Sequence, residues 1–121
     1  MRISGKKFLV TGAGNGMGRE VTLELLRRGA KVVAVDVNDT FLKETALLAG
    51  DKGSSLETFK LDITDRPAAI ELAKQHINLD GLVNVAGIIQ PFVRVNDLDF
   101  SAADRVMQIN FFGPFNLIKA F

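Results

Sequence analysis

Short apolar runs alternate with helix-like segments along the whole chain, and this alternation restricts the possible folds more than any other feature. One run, Lys31–Asp36 (Lys-Val-Val-Ala-Val-Asp), is nearly continuous in small apolar residues. Such strands are typical of a parallel sheet covered on both faces, and the connections between them are nearly always right-handed. The sequence therefore predicts an α/β fold built from successive β-α-β units.

The predicted elements follow from hydrophobic period, caps and helix-ending residues. Strands are predicted at Lys7–Thr11, Lys31–Asp36, 55–61 and 80–85, and helices at 16–28, from Asn38 or Asp39 to about Gly50, from Pro67 to near His76, and at 101–121. No repeat or linker interrupts the 121 residues, so one domain is predicted over residues 1–121.

Composition excludes several classes of function. The net charge of +1 without a basic face argues against nucleic-acid binding, and the absence of cysteine excludes disulfides and zinc–thiolate sites. His76 is the only histidine, so no metal site is expected; it is interpreted as structural, at a helix end where a cation is mildly favourable. No apolar run approaches the length of a membrane span, and no signal peptide is recognised. A soluble, cytoplasmic protein without a membrane partner is expected.

Four glycines in eight positions follow the first strand, in the stretch Thr-Gly-Ala-Gly-Asn-Gly-Met-Gly at residues 11–18. A glycine-rich turn before a helix can bind phosphate through free backbone N–H groups. Gly12 would permit the tight turn, Gly16 would let a pyrophosphate approach, and Gly18 would let the helix pack closely. The common spacing G-x-G-x-x-G is not met, because Met17 occupies the third place. An ordinary turn is therefore the alternative interpretation.

An acidic residue at the end of the second strand supports nucleotide binding. Asp36 stands where a carboxylate accepts hydrogen bonds from an adenosine ribose, although aspartate is also common at strand ends. Its charge would repel a 2′-phosphate, and neither Asn15 in the glycine stretch nor Val37 after the strand is basic. The sequence thus favours NAD over NADP.

Four segments together resemble the short-chain dehydrogenase/reductase family. Residues 11–18 resemble its T-G-x-x-x-G-x-G loop, and the other three segments resemble its strand-three end, its N-N-A-G motif and the helix with its catalytic asparagine: 61–65 (Leu-Asp-Ile-Thr-Asp), 82–88 (Leu-Val-Asn-Val-Ala-Gly-Ile) and 104–110 (Asp-Arg-Val-Met-Gln-Ile-Asn). The resemblance spans essentially the whole chain. It implies a Rossmann-type parallel sheet of strand order 3-2-1-4 with helices on both faces, apparently truncated before the later strands.

The resemblance also implies roles for particular residues. Asp62 would accept from the adenine amine, and the Ile63 N–H would donate to the adenine ring. Val85 replaces the family's second asparagine, which weakens one expected hydrogen bond. The cofactor-binding residues implied by motif and position are Gly12, Asn15, Gly16, Met17, Gly18, Asp36, Val37, Asp62, Ile63, Asn84, Ala86 and Gly87.

Asn110 is the one catalytic residue that the resemblance places in this chain. Pro114 follows four residues later and cannot donate to the Asn110 carbonyl. We therefore expect a helix kink between them, which would leave that carbonyl free to bind a water of a proton relay. A surface asparagine beside a tolerated proline is the alternative.

The chain lacks residues on which the family's chemistry depends. That chemistry is hydride transfer between nicotinamide and an alcohol or carbonyl carbon, with a serine and a Tyr-x-x-x-Lys pair located after the last helix, and this chain contains no tyrosine. The predicted function is the NAD-binding half of an oxidoreductase acting on a small alcohol or carbonyl, inactive alone. The alternatives are a non-catalytic dinucleotide-binding or structural module and, less well matched, a methyltransferase-like domain.

The last predicted helix is apolar nearly all round, which is typical of a helix buried on two sides. One side can face the sheet, and the other needs a second surface. Because the chain ends at Phe121 without a polar tail, a truncation is expected. We also expect homo-oligomerisation through this helix or through the open edge of the fourth strand.

Overall fold

The computed structural model describes all residues 1–121, and its strands and helices alternate as predicted. The strands are β1 (Lys7–Thr11), β2 (Lys31–Asp36), β3 (Leu56–Lys60) and β4 (Gly81–Val83). The helices are α1 (Gly16–Arg27), α2 (Asp39–Ala49), α3 (Arg66–Gln75), α4 (Phe100–Met107) and α5 (Gly113–Ala120), with a π-helical turn at Gln108–Phe112 and 3₁₀ turns at Gly50–Ser55 and Val95–Asp97. No helix has the length and apolar character that crossing a membrane requires.

The four strands form one parallel sheet in the order β3-β2-β1-β4, which confirms the predicted order. β1 lies in the middle, with Phe8 paired to Val32 on one side and to Gly81 on the other. Because all strands run the same way, their carboxyl ends meet at one edge, where ligands bind in open α/β sheets.

Helices cover both faces of the sheet, as predicted. Alternate residues of β1 point to opposite sides, so Val10 joins one buried cluster with Leu26 and Leu42, whereas Leu9 joins another with Leu72 and Leu117. α1 and α2 thus pack on one face, and α3 and α5 on the other.

Two helices begin at side-chain caps. Asn38 Oδ1 accepts from the Phe41 N–H at 3.0 Å, so Asn38 is the cap and α2 begins at Asp39. Asp65 Oδ1 accepts from the Ala68 N–H at 3.0 Å and caps α3. Caps of this type typically stabilise a helix by about 1 kcal/mol.

β4 is shorter than predicted. The sequence predicted a strand over residues 80–85, but the strand extends only over Gly81–Val83. The N–H groups of Val85 and Ala86 both donate to Thr11 Oγ1 instead of to a neighbouring strand, each at 3.0 Å. A side chain therefore replaces the strand ladder at this end of the sheet.

The predicted helix 101–121 is not continuous. α4 passes into the π-helical turn, in which the Gly113 N–H donates to the carbonyl of Gln108, five residues earlier. Pro114 has no N–H to donate, so an α-helical pattern could not continue across Asn110. The predicted break thus takes the form of a wider turn that leads into α5.

One face of this last segment is exposed, so residues 1–121 do not themselves supply the second surface that was expected to cover it. Met107, Phe111, Phe115 and Ile118 are 52%, 53%, 46% and 63% exposed, and they recur at helical spacing. We call these four residues the apolar face. The opposite side is buried, with Leu117 fully covered and Gly113 packed so closely that a Cβ would lie 2.7 Å from Ile63 Cγ1.

His76 lies at the end of α3, as expected of a structural residue, but its buried ring does not favour a cation there. Its ring is 5% exposed, and Nδ1 lies 2.9 Å from Lys7 Nζ. Burial lowers the pKa of His76 below its ordinary value, the positive charge of Lys7 lowers it further, and Glu57 opposes both effects. Lys7 donates to Nδ1, so the neutral ring carries its proton on Nε2, which has no hydrogen-bond partner.

Candidate functional site

A cleft of about 750 Å³ opens at the carboxyl edge of the sheet. Its volume is within the range of small-molecule sites. Eleven of the predicted cofactor-binding residues line it: Gly12, Asn15, Gly16, Met17, Gly18, Asp36, Val37, Asp62, Ile63, Ala86 and Gly87. Asn84 and Asn110 are not part of the lining. The topology thus brings together residues from the ends of all four strands.

The glycine-rich loop (residues 11–18) has a backbone that only glycine adopts readily at two positions. Gly12 and Gly16 have φ values of 64° and 54°. A Cβ on Gly12 would lie 3.0 Å from the Ala86 backbone, and one on Gly18 would overlap the Gly12 carbonyl oxygen. Gly16 faces open space, and no side chain caps the first turn of α1. The N–H groups at this helix end are therefore available to an anion.

The Asp36 carboxylate lies beside the loop and is held by two backbone groups. Gly14 N–H donates to Oδ2 at 2.9 Å, and Asn38 N–H donates to Oδ1 at 3.0 Å. Each carboxylate oxygen accepts more than one hydrogen bond, so both can also accept from a hydroxyl in the cleft. The arrangement fixes a negative charge between the glycine-rich loop and the start of α2.

The end of β3 presents a second carboxylate. Asp62 Oδ1 accepts from the Thr64 N–H at 2.9 Å and from the Thr64 hydroxyl at 2.7 Å. The neighbouring Ile63 is buried, and its carbonyl accepts from Asn116 Nδ2 at 3.0 Å. The contact with α5 fixes the backbone that lines this part of the cleft.

The fully buried Thr11 connects the two sides of the cleft. Its hydroxyl oxygen accepts from the N–H groups of Val85 and Ala86, and the Ala86 backbone lies next to Gly12. This role of Thr11 was not predicted. A hydrogen-bonding residue at a strand end before the glycine-rich loop was the available signal.

The Asn110 side chain is hydrogen-bonded to the loop after β4. Its Oδ1 accepts from the Ile88 N–H at 2.8 Å, and its Nδ2 donates to the Ile88 carbonyl at 2.7 Å. A Cβ on Gly87 would lie 3.3 Å from Asn110 Oδ1, so glycine permits this approach. The carboxamide thus fixes the loop that carries Gly87, whereas the Asn84 side chain is exposed outside the cleft.

Several lining residues were missed. Arg105, Gln108 and Ile109 contribute from the last helical segment, and their helical spacing places them on one side. Arg105 and Ile88 also line a second groove of about 490 Å³ with Gln90, Pro91 and Phe92. The remaining missed residues are Val35, Leu61, Thr64, Val85 and Ile88. No group of acidic residues and histidine has the geometry of a metal site.

A family model and related sequences of known proteins match almost the whole chain. A family model described as short chain dehydrogenase matches residues 6–121. The short chain dehydrogenase/reductase dpmpG of Macrophomina phaseolina is 38% identical over 97% of this chain and 70% of its own length. The 2-(S)-hydroxypropyl-CoM dehydrogenase 3 of Xanthobacter autotrophicus is 37% identical over 98% of this chain, which spans 48% of that protein.

Solved structures agree with the sequence relatives. A short chain dehydrogenase from Shigella flexneri superposes with a TM-score of 0.90 at 27% identity, over 98% of this chain and 56% of that one. One from Escherichia coli, complexed with NADPH, has a TM-score of 0.89 at 28% identity, over 98% of this chain and 52% of its own. The chain therefore spans about half the length of these structural relatives. With the fold, the four motifs and the family model in agreement, the chain belongs to the short-chain dehydrogenase family.

Proposed function

We propose that residues 1–121 are the dinucleotide-binding domain of an NAD-dependent oxidoreductase. The complete protein would transfer hydride between nicotinamide and a small alcohol or carbonyl substrate. One observation carries the proposal: the open N-terminal end of α1 and the Asp36 carboxylate line one cleft that continues to Gly87. An anion site beside a hydroxyl acceptor is what a dinucleotide requires.

The donor set fits a dinucleotide along its whole length. The glycine-rich loop would hold the pyrophosphate, with Asn15, Gly16, Met17 and Gly18 closest to it. Asp36 and Val37 would contact the adenosine ribose, and Asp62 and Ile63 the adenine. Ala86 and Gly87 leave room for the nicotinamide-side ribose. For Asn84 the same role stays a prediction, because its side chain lies outside the cleft lining.

NAD is proposed over NADP on the basis of charge. The Asp36 carboxylate would face a 2′-phosphate at short range, and neither Asn15 nor Val37 offers a positive charge to bind it. Two structurally similar proteins, from Escherichia coli and Shigella flexneri, are complexed with NADPH and NADP. The preference is therefore the part of the proposal that most needs a direct test.

The preference is tested by titrating this chain into NADH and into NADPH while following nicotinamide fluorescence. The chain contains no tryptophan or tyrosine, so protein emission interferes little. We expect NADH to bind at least about tenfold more tightly, a difference of about 1.4 kcal/mol in binding free energy. Equal or tighter binding of NADPH would contradict the NAD preference, and no binding of either would contradict a nucleotide site.

Bound nicotinamide supplies the hydride acceptor or donor. Toward that step, this chain's residues bind and orient, and we propose that Asn110 fixes the loop carrying Gly87 and, through its main-chain carbonyl, holds a water molecule. The 121 residues contain no tyrosine. We therefore propose that the chain alone binds the dinucleotide without turnover, whereas a non-catalytic binding module is the alternative.

These two functions are separated by reading the source gene past the codon for Phe121 and assaying the whole product with NAD and a panel of small alcohols. Turnover by the whole product, with none by residues 1–121, would support the oxidoreductase. Nucleotide binding by both without turnover of any alcohol or carbonyl would favour the binding module. The panel would also identify the substrate class. A cytoplasmic location stays a prediction from composition.

We also propose that the protein self-associates through the apolar face. Its four residues are about half exposed and recur at helical spacing from the end of α4 through the π-helical turn into α5. Within it, Phe111 and Phe115 stack with ring centroids 6.2 Å apart. A contiguous exposed apolar patch of this kind is typical of an interface. A second copy of this chain is the proposed occupant.

A further inference from the structure

Both backbone groups of Gly14, at the centre of the glycine-rich loop, are hydrogen-bonded by side chains from other elements. Its N–H donates to Asp36 Oδ2, 2.9 Å away, and its carbonyl accepts from Arg19 Nη2 and lies 3.3 Å from Thr45 Oγ1. A Cβ at Gly14 would lie 2.8 Å from Asp36 Oδ2, so there is no room for a side chain. We call Asp36, Arg19 and Thr45 the Gly14 clamp.

Arg19 connects the loop to α2 through several donors. Nε donates to Thr45 Oγ1 at 3.0 Å, and Nη2 also contacts the Phe41 carbonyl at 3.2 Å and Glu44 Oε2 at 3.0 Å. The Arg19 side chain is 19% exposed, so these contacts are partly shielded from water. Hydrogen bonds from a charged donor are about twice as strong as neutral ones.

Thr45 extends the connection to the preceding peptide. Its buried hydroxyl accepts from Arg19, which leaves the hydroxyl proton free to be donated to the Ala13 carbonyl, 2.9 Å away. Two successive carbonyls of the loop, those of Ala13 and Gly14, are thereby turned toward α2. The N-terminal end of α1, which follows these two carbonyls, has no side-chain cap and lines the cleft.

Neither Arg19 nor Thr45 lines the cleft, so we expect neither to contact a nucleotide bound there. We propose that both are positioning residues, which hold the glycine-rich loop in its anion-binding conformation before the nucleotide arrives. Because the contacts of Arg19 lie mainly on α2, nucleotide affinity depends on the packing of that helix against the loop. This inference rests on the proposed nucleotide site, but loop order can be measured without any nucleotide.

The variants are Arg19→Met, which keeps an apolar stem, and Thr45→Val, which keeps the shape and removes the hydroxyl. The matched control is Arg27→Met on the same helix, since Arg27 pairs only with the exposed Glu24. Two quantities are measured on the full 121-residue chain: the Kd for NADH, and the amide hydrogen exchange of residues 14–18 without nucleotide.

We expect R19M to weaken NADH binding by about tenfold to a hundredfold and to accelerate exchange of the loop amides about tenfold. T45V should act in the same direction more weakly. The double variant should lose little more than R19M alone, because both residues act through the same peptides. R27M should change neither quantity.

Outcomes separate this inference from the proposed function. Unchanged exchange and unchanged Kd in T45V and in a folded R19M would overturn the inference and leave nucleotide binding intact. Faster loop exchange in R19M and T45V than in the wild type, in a protein whose wild type binds no NADH, would leave the positioning role standing and overturn the nucleotide site. Should R19M fail to fold, T45V alone decides through the same two measurements.

Discussion

The glycine-rich loop and the last helical segment differ in how completely their groups are matched within the chain. In the loop, the carbonyls of Ala13 and Gly14 and the N–H of Gly14 have partners on α1, α2 or β2. In the last segment, the side facing the sheet is packed, whereas the apolar face has no partner. The conformation of the glycine-rich loop is therefore fixed by hydrogen bonds within the chain. The last helical segment, by contrast, keeps an exposed apolar face.

The largest effect is expected when one methyl group is added at Gly18, in the glycine-rich loop. A Cβ there overlaps the Gly12 carbonyl oxygen, a backbone atom that cannot move without opening the turn. We expect Gly18→Ala to lower the free energy of unfolding by about 3 kcal/mol. Urea unfolding followed by far-UV circular dichroism measures this change.

Gly53→Ala is the matched control, because a Cβ there meets no atom within 4 Å and the residue has no positive φ. It should change the free energy of unfolding by less than about 1 kcal/mol. Equal effects of the two substitutions on the free energy of unfolding would show that the close approach of Gly18 to Gly12 does not restrict residue 18 to glycine.

The second prediction concerns the connection between the end of β1 and the loop after β4. Thr11→Val removes the acceptor of the Val85 and Ala86 N–H groups, which water can only partly replace. We expect a loss of about 1–2 kcal/mol in unfolding free energy. Thr22→Val, which removes an equally buried hydroxyl that donates to the Gly18 carbonyl, should cost less. The reverse order, measured by urea unfolding, would contradict this assignment.

The third prediction tests the unmatched surface. Ile118→Lys places a charge on the apolar face, where Ile118 is 63% exposed. Self-association should weaken by about tenfold or more, while the unfolding free energy should change by less than about 0.5 kcal/mol. Sedimentation velocity over a concentration series gives the association constant.

Ile77→Lys is the matched control, since Ile77 is 80% exposed and follows α3, away from the apolar face. A wild-type protein that stays monomeric at every concentration, or an equal effect of both lysines, would remove the apolar face as the interface.

The smallest effect is expected at the opposite edge of the sheet, at His76. The pKa of His76 is lowered from 6.5, chiefly by burial, so the unfolded state binds more protons than the folded state below that pH. The stability contribution is complete above pH 6.5 and is lost as the pH falls toward the lowered pKa. His76→Asn, which keeps an acceptor for Lys7 but does not titrate, should flatten this part of the stability curve.

Thermal unfolding between pH 7.5 and 5 checks this prediction. Identical slopes for the wild type and His76→Asn would mean that His76 does not titrate differently in the two states. The loop region should be insensitive to the substitution, because His76 lies at the end of α3 and contacts Lys7 at the start of β1.

The parts of the fold that were predictable are those with a local signal. β1 and β2 were placed correctly because each is a continuous apolar run, and Gly12, Gly16 and Asp36 were placed at the cleft by their positions at strand ends. The break near Pro114 followed from one missing N–H, although the width of the resulting π-helical turn did not.

The parts that were not predictable depend on partners far away in the sequence. Thr11 meets Val85 across 74 residues, and Arg19 meets Thr45 across 26. The signal for Thr11 was its place at the end of β1, whereas Arg19 has no pattern that distinguishes it from a surface arginine. The burial of the His76 ring was not predictable for the same reason, since it packs edge-on against Phe59 of β3, with ring centroids 5.3 Å apart.

The double attachment of Asp36 bears on the engineering of cofactor selectivity. A designer who replaces this residue to admit a phosphorylated ribose changes the local charge, but also removes the acceptors of the Gly14 and Asn38 N–H groups. Lost NAD binding in such a variant would then report a loosened scaffold as much as an altered preference. A selectivity switch in this chain requires a replacement acceptor for both amides, introduced together with the new positive charge.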